Sequence, residues 1–267
     1  MKLVDRSSFW RRALRVAGQH LLHLAENNGD VRAARNGELR LLRELLTAHA
    51  AGGGGRPFVA CDGGANRGEY TRLLLQEAGR AGTDIEVHAF EPSPHCVDEL
   101  RQAFGSEPKV HIVGAALADH AGEAMLFNGG SGSSLASLVP RNSLAAGAAA
   151  AVPVPLMRLG DYLSAQGLAR VDLLKLDVEG SELAALKGLG DQLRPEVVGV
   201  IQFEYGATTL DAGTTLGAIY ALLEARGYAV GKIFPRAVEV RPYRAWMETY
   251  AYANYVAFSP AAGSAKG

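Results

Sequence analysis

The 267-residue chain balances 27 Lys and Arg against 28 Asp and Glu, a formal net charge of −1. It therefore lacks the basic excess that a nucleic-acid partner calls for. Its 48% hydrophobic residues suffice for one large α/β domain, or for one domain with a helical extension. Two cysteines, Cys61 and Cys96, make neither a disulfide framework nor a metal-ligand spacing, and they fit a cytoplasmic location. No apolar run reaches the ~20 residues of a membrane span, and Arg11, Arg12 and Arg15 interrupt any signal-like segment.

Trp10, Ala13, Leu14, Ala17, Leu21 and Leu24 recur at helical spacing and predict an amphipathic helix over residues 7–24, with the arginines on its solvated face. A second helix is expected over 38–50. The glycines 52–55 then make the clearest break in the chain. Three parts follow from it: a helical extension and linker over 1–55, a main domain over 56–258, and a small polar, disordered tail over 259–267. For residues 1–50 the default expectation is packing on a sheet. Covering a substrate cleft and forming a homodimer are the alternatives.

Beyond the glycines, strands are expected at 57–61, 85–90, 110–116, 171–176 and 197–203, with helices at 70–78, 94–104, 181–187 and 216–226. Such alternation means βαβ units and a parallel sheet. Residues 124–128 look like an added strand, followed by a Gly/Ser-rich run over 129–134. The alanine run 145–151 fits a short helix or a loop. Residues 228–234 and 254–258 read as a closing strand pair.

Ligands of an open parallel sheet bind beyond the carboxyl ends of its strands. The first strand ends at Asp62, followed by Gly63-Gly64-Ala65-Asn66-Arg67-Gly68. This turn is not the G-x-G-x-x-G that seats a pyrophosphate. An acid at the strand end suits instead a ligand bearing an ammonium and a sulfonium. Glu91, at the end of the second strand, can accept hydrogen bonds from ribose hydroxyls. Lys175-Leu176-Asp177-Val178-Glu179 ends the fourth strand, and alternation places its charged residues on one side. Glu204, ending the fifth, falls beside them. Asp177 and Glu204 are thus expected either as a base with its neighbour or as ligands of a divalent cation. His111 alternates within a strand and reads as structural, whereas His95 and His120 lie near strand-end loops as alternative bases.

Taken together, Asp62 to Tyr70, Phe90-Glu91-Pro92, Ala115 to Asp119, Leu174 to Glu182, Phe203-Glu204 and Asn254 to Ala257 resemble the FkbM family of methyltransferases, over roughly residues 57–258. The resemblance implies a Rossmann-like α/β fold: a seven-stranded, mostly parallel sheet with an antiparallel last strand and helices on both faces. It implies S-adenosylmethionine as methyl donor. Asp62, Gly64 and Asn66 would line its methionine part, Glu91 the ribose, and Ala116 with Leu117 the adenine. Gly63, Gly68, Tyr70 and Pro92 belong to the same motifs, with Gly63 standing where an apolar or small side chain is more usual and loosening the turn. Asp177 and Glu179 would face the reacting methyl, with Asp177 the leading base and Glu179 and Glu204 supporting it. The expected reaction is O-methylation of a sugar, glycan or natural-product hydroxyl. Carboxylate methylation, an NAD(P)-dependent oxidoreductase and a silent nucleoside-binding module are the alternatives.

Overall fold

The computed structural model describes residues 9–53, 55–128, 136–139 and 150–260. The Gly/Ser run 129–134, most of the alanine run 145–151 and the chain beyond 260 lie outside them. Helix α1 (Phe9–Ala25) buries none of its residues. Its apolar stripe faces outward, with Trp10 73% and Leu14 72% exposed. The chain after it is anchored by Glu26, which pairs with Lys232 and Arg241. The short α2 (Ala33–Asn36) meets α3 (Glu38–Ala51) at Gly37. That residue has φ +106°, and a Cβ there would fall 2.2 Å from the Phe234 carbonyl oxygen, so only glycine makes this corner. Leu42 and Leu46 of α3 join Phe58, Ala60, Leu74 and Val87 in one core cluster. Packing on the sheet, the default expected for this region, holds for α3.

Parallel strands covered on both faces read as near-continuous apolar runs. β1 (Phe58–Gly63) is buried throughout and leads through α4 (Glu69–Ala81) to β2 (Ile85–Phe90), α5 (Pro94–Phe104) and β3 (Val110–Val113). The chain then leaves the sheet through β4 (Ala116–Leu117), β5 (Gly122–Asn128), β6 (Ala150–Met157) and α6 (Leu159–Ala165). It returns as β7 (Val171–Leu176), α7 (Glu182–Lys187), β8 (Val198–Tyr205), α8 (Ala207–Asp211), α9 (Leu216–Ala225), β9 (Ala229–Ile233), β10 (Val238–Val240) and β11 (Ala253–Phe258). The main sheet has the order β10-β9-β11-β8-β7-β1-β2-β3. β11 runs antiparallel between β8 and β9. The seven expected strands are present, and β10 is an added edge strand. The core lies on both faces: α4 and α5 cover one, and α6, α7 and α9 the other.

Two local departures have physical causes. The strand expected over 110–116 breaks at Gly114, and β4 pairs with β6 in a second sheet of order β4-β6-β5. β6 itself, with Pro153 and Pro155, does not look like a strand. Two apart, these prolines turn their nitrogens to the same strand edge, away from β5 and short of Leu156 and Met157 where β4 pairs, so no ladder bond is lost. Among the described residues, no helix is long and apolar enough to cross a membrane.

Candidate active site

The carboxyl ends of β1, β2, β7 and β8 open on one cavity of about 1030 Å³. This is at the upper end of the roughly 300–1,000 Å³ of small-molecule pockets. The floor is a clasp between two turns. Asp177 N–H donates to the Gly63 carbonyl at 2.9 Å, and Gly64 N–H donates to the Phe90 carbonyl at 2.9 Å. Gly64 has φ +81°, and a Cβ would stand 1.9 Å from the Asp177 carbonyl oxygen; the clasp requires glycine. Gly63 is not loose: a Cβ there would meet Leu117 and Leu176 at 3.0 Å each.

Glu91 accepts backbone hydrogen bonds from Ser93 and Asn66, both at 2.8 Å. Each carboxylate oxygen keeps a lone pair for the cavity. Burial raises its pKa, partly offset by those two N–H groups. Phe90, Ala116, Leu117 and Leu126 form an apolar slot beside it.

At the other end, Lys175 Nζ lies 2.9 Å from Asp177 Oδ2 and 4.9 Å above the Tyr70 ring centroid. Burial disfavours this ammonium, but Asp177, Asp62 and Glu38 outweigh it and hold its pKa above the usual lysine range. Burial likewise pushes Asp177 up, and the Lys175 charge with a hydrogen bond from Glu204 brings it below the usual carboxylate value. Glu204 goes the other way. Burial, then repulsion from Asp177 and Glu179, pushes its pKa up to about 10, so at neutral pH it is the proton donor of the pair. The cavity thus holds one carboxylate kept ionised and one kept neutral. Glu179 sits beside them at φ +53°, a left-handed conformation that persists only where surroundings impose it. Its carbonyl accepts from Ser137 Oγ at 2.9 Å.

Gly64, Asn66, Tyr70, Glu91, Pro92, Ala116, Leu117, Asp177, Glu179 and Glu204 therefore line one cavity. Asp62, Gly63 and Gly68 do not. Asp62 is fully buried under the floor, accepting from Thr71 Oγ1 at 2.8 Å, with its other oxygen unpartnered among the described residues. Burial raises its pKa, opposed by Lys175. His95 and His120 are exposed, pair with Glu99 and Asp119, and stay outside the cavity. The divalent cation expected at Asp177 and Glu204 gains no support from this geometry. An ammonium and a proton already supply the positive charge there.

Sequence reasoning allowed residues 1–50 to cover a cleft but named no residue of this wall. Glu38, at the start of α3, lines the cavity and accepts from Gln202 Nε2 at 2.6 Å and Asn254 Nδ2 at 2.9 Å. Val31, Ala33, Ala34 and Leu39 continue the wall, with Tyr250 and Tyr252 opposite the turns. Residues 31–39 thus flank the cleft as well as packing on the sheet. An acid opening an amphipathic helix gives no hint of this in sequence.

The family model described as the Methyltransferase FkbM domain matches residues 62–230. The chain belongs to the FkbM methyltransferase family. Methyltransferase sdnD of Sordaria araneosa is 32% identical over 223 residues, covering 71% of this chain and 82% of that protein. The 31-O-demethyl-FK506 methyltransferase FkbM of Streptomyces tacrolimicus is 29% identical over 198 residues, covering 64% and 73%. The crystal structure of methyltransferase FkbM from Methylobacillus flagellatus KT gives a TM-score of 0.45 at 16% identity, and the match spans 79% of this chain but only 47% of that longer one. The FkbM match contains Asn66, Glu91, Asp177 and Glu204 and excludes Glu38, Tyr250 and Tyr252. This enzyme is a methyltransferase, and the oxidoreductase and silent-module alternatives fall.

Proposed function

We propose that this enzyme transfers the methyl group of S-adenosylmethionine to a hydroxyl oxygen of a sugar, glycan or natural-product acceptor, with Asp177 taking the hydroxyl proton. The observation that carries this is the Lys175–Asp177–Glu204 arrangement in the wall of the cavity. The cavity's chemistry fits the donor. Glu91 offers a buried carboxylate for ribose hydroxyls, the slot at Phe90, Ala116 and Leu117 suits an adenine ring, and the acids suit an ammonium and a sulfonium. When bound, the sulfonium supplies an electrophilic methyl group that is intrinsically reactive.

The protein's own contribution is alignment and proton removal. A carboxylate of lowered pKa is a weak base toward an alcohol. As the new C–O bond forms, however, the acceptor oxygen becomes a protonated ether, a far stronger acid, and Asp177 then accepts its proton readily. Glu204 holds Asp177 in place by its hydrogen bond, and Glu179 adds negative charge facing the cationic donor.

Two observations favour a hydroxyl over a carboxylate acceptor. Asp177, Glu179, Glu38 and Glu91 would repel an anion, while Lys175 is engaged by Asp177 and Arg67 by Glu99. The Streptomyces tacrolimicus relative is named for a substrate methylated on oxygen. Calorimetry with S-adenosylmethionine and its demethylated product is expected to show binding that Glu91→Ala weakens at least about tenfold, one lost hydrogen-bonded charge being worth roughly 1.5–3 kcal/mol. No binding to wild type would overturn the reading.

A cytoplasmic enzyme that pairs through α1 accompanies this proposal. Trp10, Leu14, Ala17, Leu21 and Leu24 repeat at spacings of four and three, the seam of paired helices, and Trp10, Leu14, Leu21 and Leu24 are mostly exposed. Light scattering is expected to give a dimer that Leu14→Glu with Leu21→Glu splits; a monomeric wild type refutes the pairing.

A further inference from the structure

We propose that Glu86, His88 and His111 form a binding site for a transition-metal dication of the zinc class, outside the methyl-transfer cavity. The sheet itself assembles it. Glu86 and His88 stand two apart on β2 and so share a face. His111 on β3 is the register partner of His88 and shares that face. One ligand atom from each of the three lies within 4.8 Å of the others. Glu86 Oε1 is 2.9 Å from His111 Nε2 and 3.3 Å from His88 Nε2. Ligand atoms bound at about 2.0–2.1 Å on a tetrahedral ion stand roughly 3.3 Å apart, so both carboxylate–imidazole edges already have ligand spacing. Only the edge between the two rings needs to close, and His111, with its side chain 44% exposed, stands at the open rim where it can turn.

The buried half of the site is built. His88 is 1% exposed. Its Nδ1 lies 2.8 Å from the Tyr162 hydroxyl, which fixes the ring as outer partners of metal-bound histidines do. Its Nε2 is buried and, among the described residues, makes no hydrogen bond despite facing Glu86 at 3.3 Å. Two imidazoles and one carboxylate suit zinc, cobalt or nickel better than magnesium or calcium. Solvent at the Glu86 and His111 side supplies the fourth ligand.

A bound ion would pin the edge strand β3 to β2. It would also fix Tyr162, which packs against Phe90 of the cavity wall at 4.9 Å between ring centroids. A hydrogen-bonded trio without an ion is the competing account, and cobalt distinguishes the two.

Titrating chelator-treated full-length protein with Co²⁺ is expected to produce the visible ligand-field bands of a low-symmetry site, and Zn²⁺ should quench them and raise Tm. Mg²⁺ should do neither. Glu86→Gln and His111→Ala, both at partly exposed positions, should abolish the bands while circular dichroism shows a folded protein. Tyr162→Phe should weaken Co²⁺ binding about 10- to 100-fold. Folded wild type that shows no bands, or bands that survive in His111→Ala, would overturn the assignment.

Discussion

Asp177→Asn is expected to lower kcat by about 10²- to 10⁴-fold, the range assigned to a positioned general base. Affinity for S-adenosylmethionine should stay close to wild type. The amide keeps the shape of the carboxylate, so the clasp between the Asp177 N–H and the Gly63 carbonyl, which is backbone, persists. Glu204 and Lys175 lose the anion between them, and Glu204, hydrogen-bonded to that position, becomes a carboxyl that can take the proton once it is ionised. Because its pKa sits near 10 when Asp177 is ionised, removing that charge lowers it. Residual activity in the variant should therefore rise with pH where wild-type activity is flat. Turnover within threefold of wild type would remove Asp177 from the chemistry.

Lys175→Met has the largest expected effect on stability. The lysine is 7% exposed and its ammonium faces Asp177, Asp62 and Glu38. Removing one partner of a buried pair leaves an uncompensated charge and costs about 3–5 kcal/mol. The sign with pH is fixed by Asp177. Its folded pKa lies below the ordinary 3.8, so its contribution is present above that value and is lost as pH falls through the folded pKa. Without Lys175 the folded pKa climbs past 3.8 and the contribution reverses: the variant then folds best with Asp177 protonated and weakens as pH rises. Urea midpoints measured from acid to neutral pH check this. A variant within 1 kcal/mol of wild type at neutral pH, or one that weakens in parallel with wild type on acidification, refutes the role given to Lys175.

The strands that build the cavity were legible because burial on both faces leaves an apolar run, as at β1 and β7. Their terminal acids were legible because a parallel sheet presents its carboxyl ends to the ligand. What escaped depended on register or on distant partners. Asp62 ends its strand as Glu91 and Asp177 end theirs, yet it points beneath the floor toward Thr71; no local signal tells these orientations apart. Glu38 gained its role from Gln202 and Asn254, more than 160 residues away. The stacking of His111 on His88 exists only once β2 and β3 align. The prolines of β6 concealed a strand, and the three residues of β10 are too few for alternation to show.

The position of β11 bears on how the chain can fold as it is made. β8 and β9 are not neighbours; each pairs with the strand that is synthesised after both. Until residue 258 has left the ribosome, β8 carries an open hydrogen-bonding edge, and β9 with β10 has no sheet to join. Long-range pairing of this kind slows closure and exposes strand edges to other chains. The segment matched by the family, residues 62–230, ends before that closing strand, so translation stalled there leaves an aggregation-prone sheet rather than a smaller enzyme.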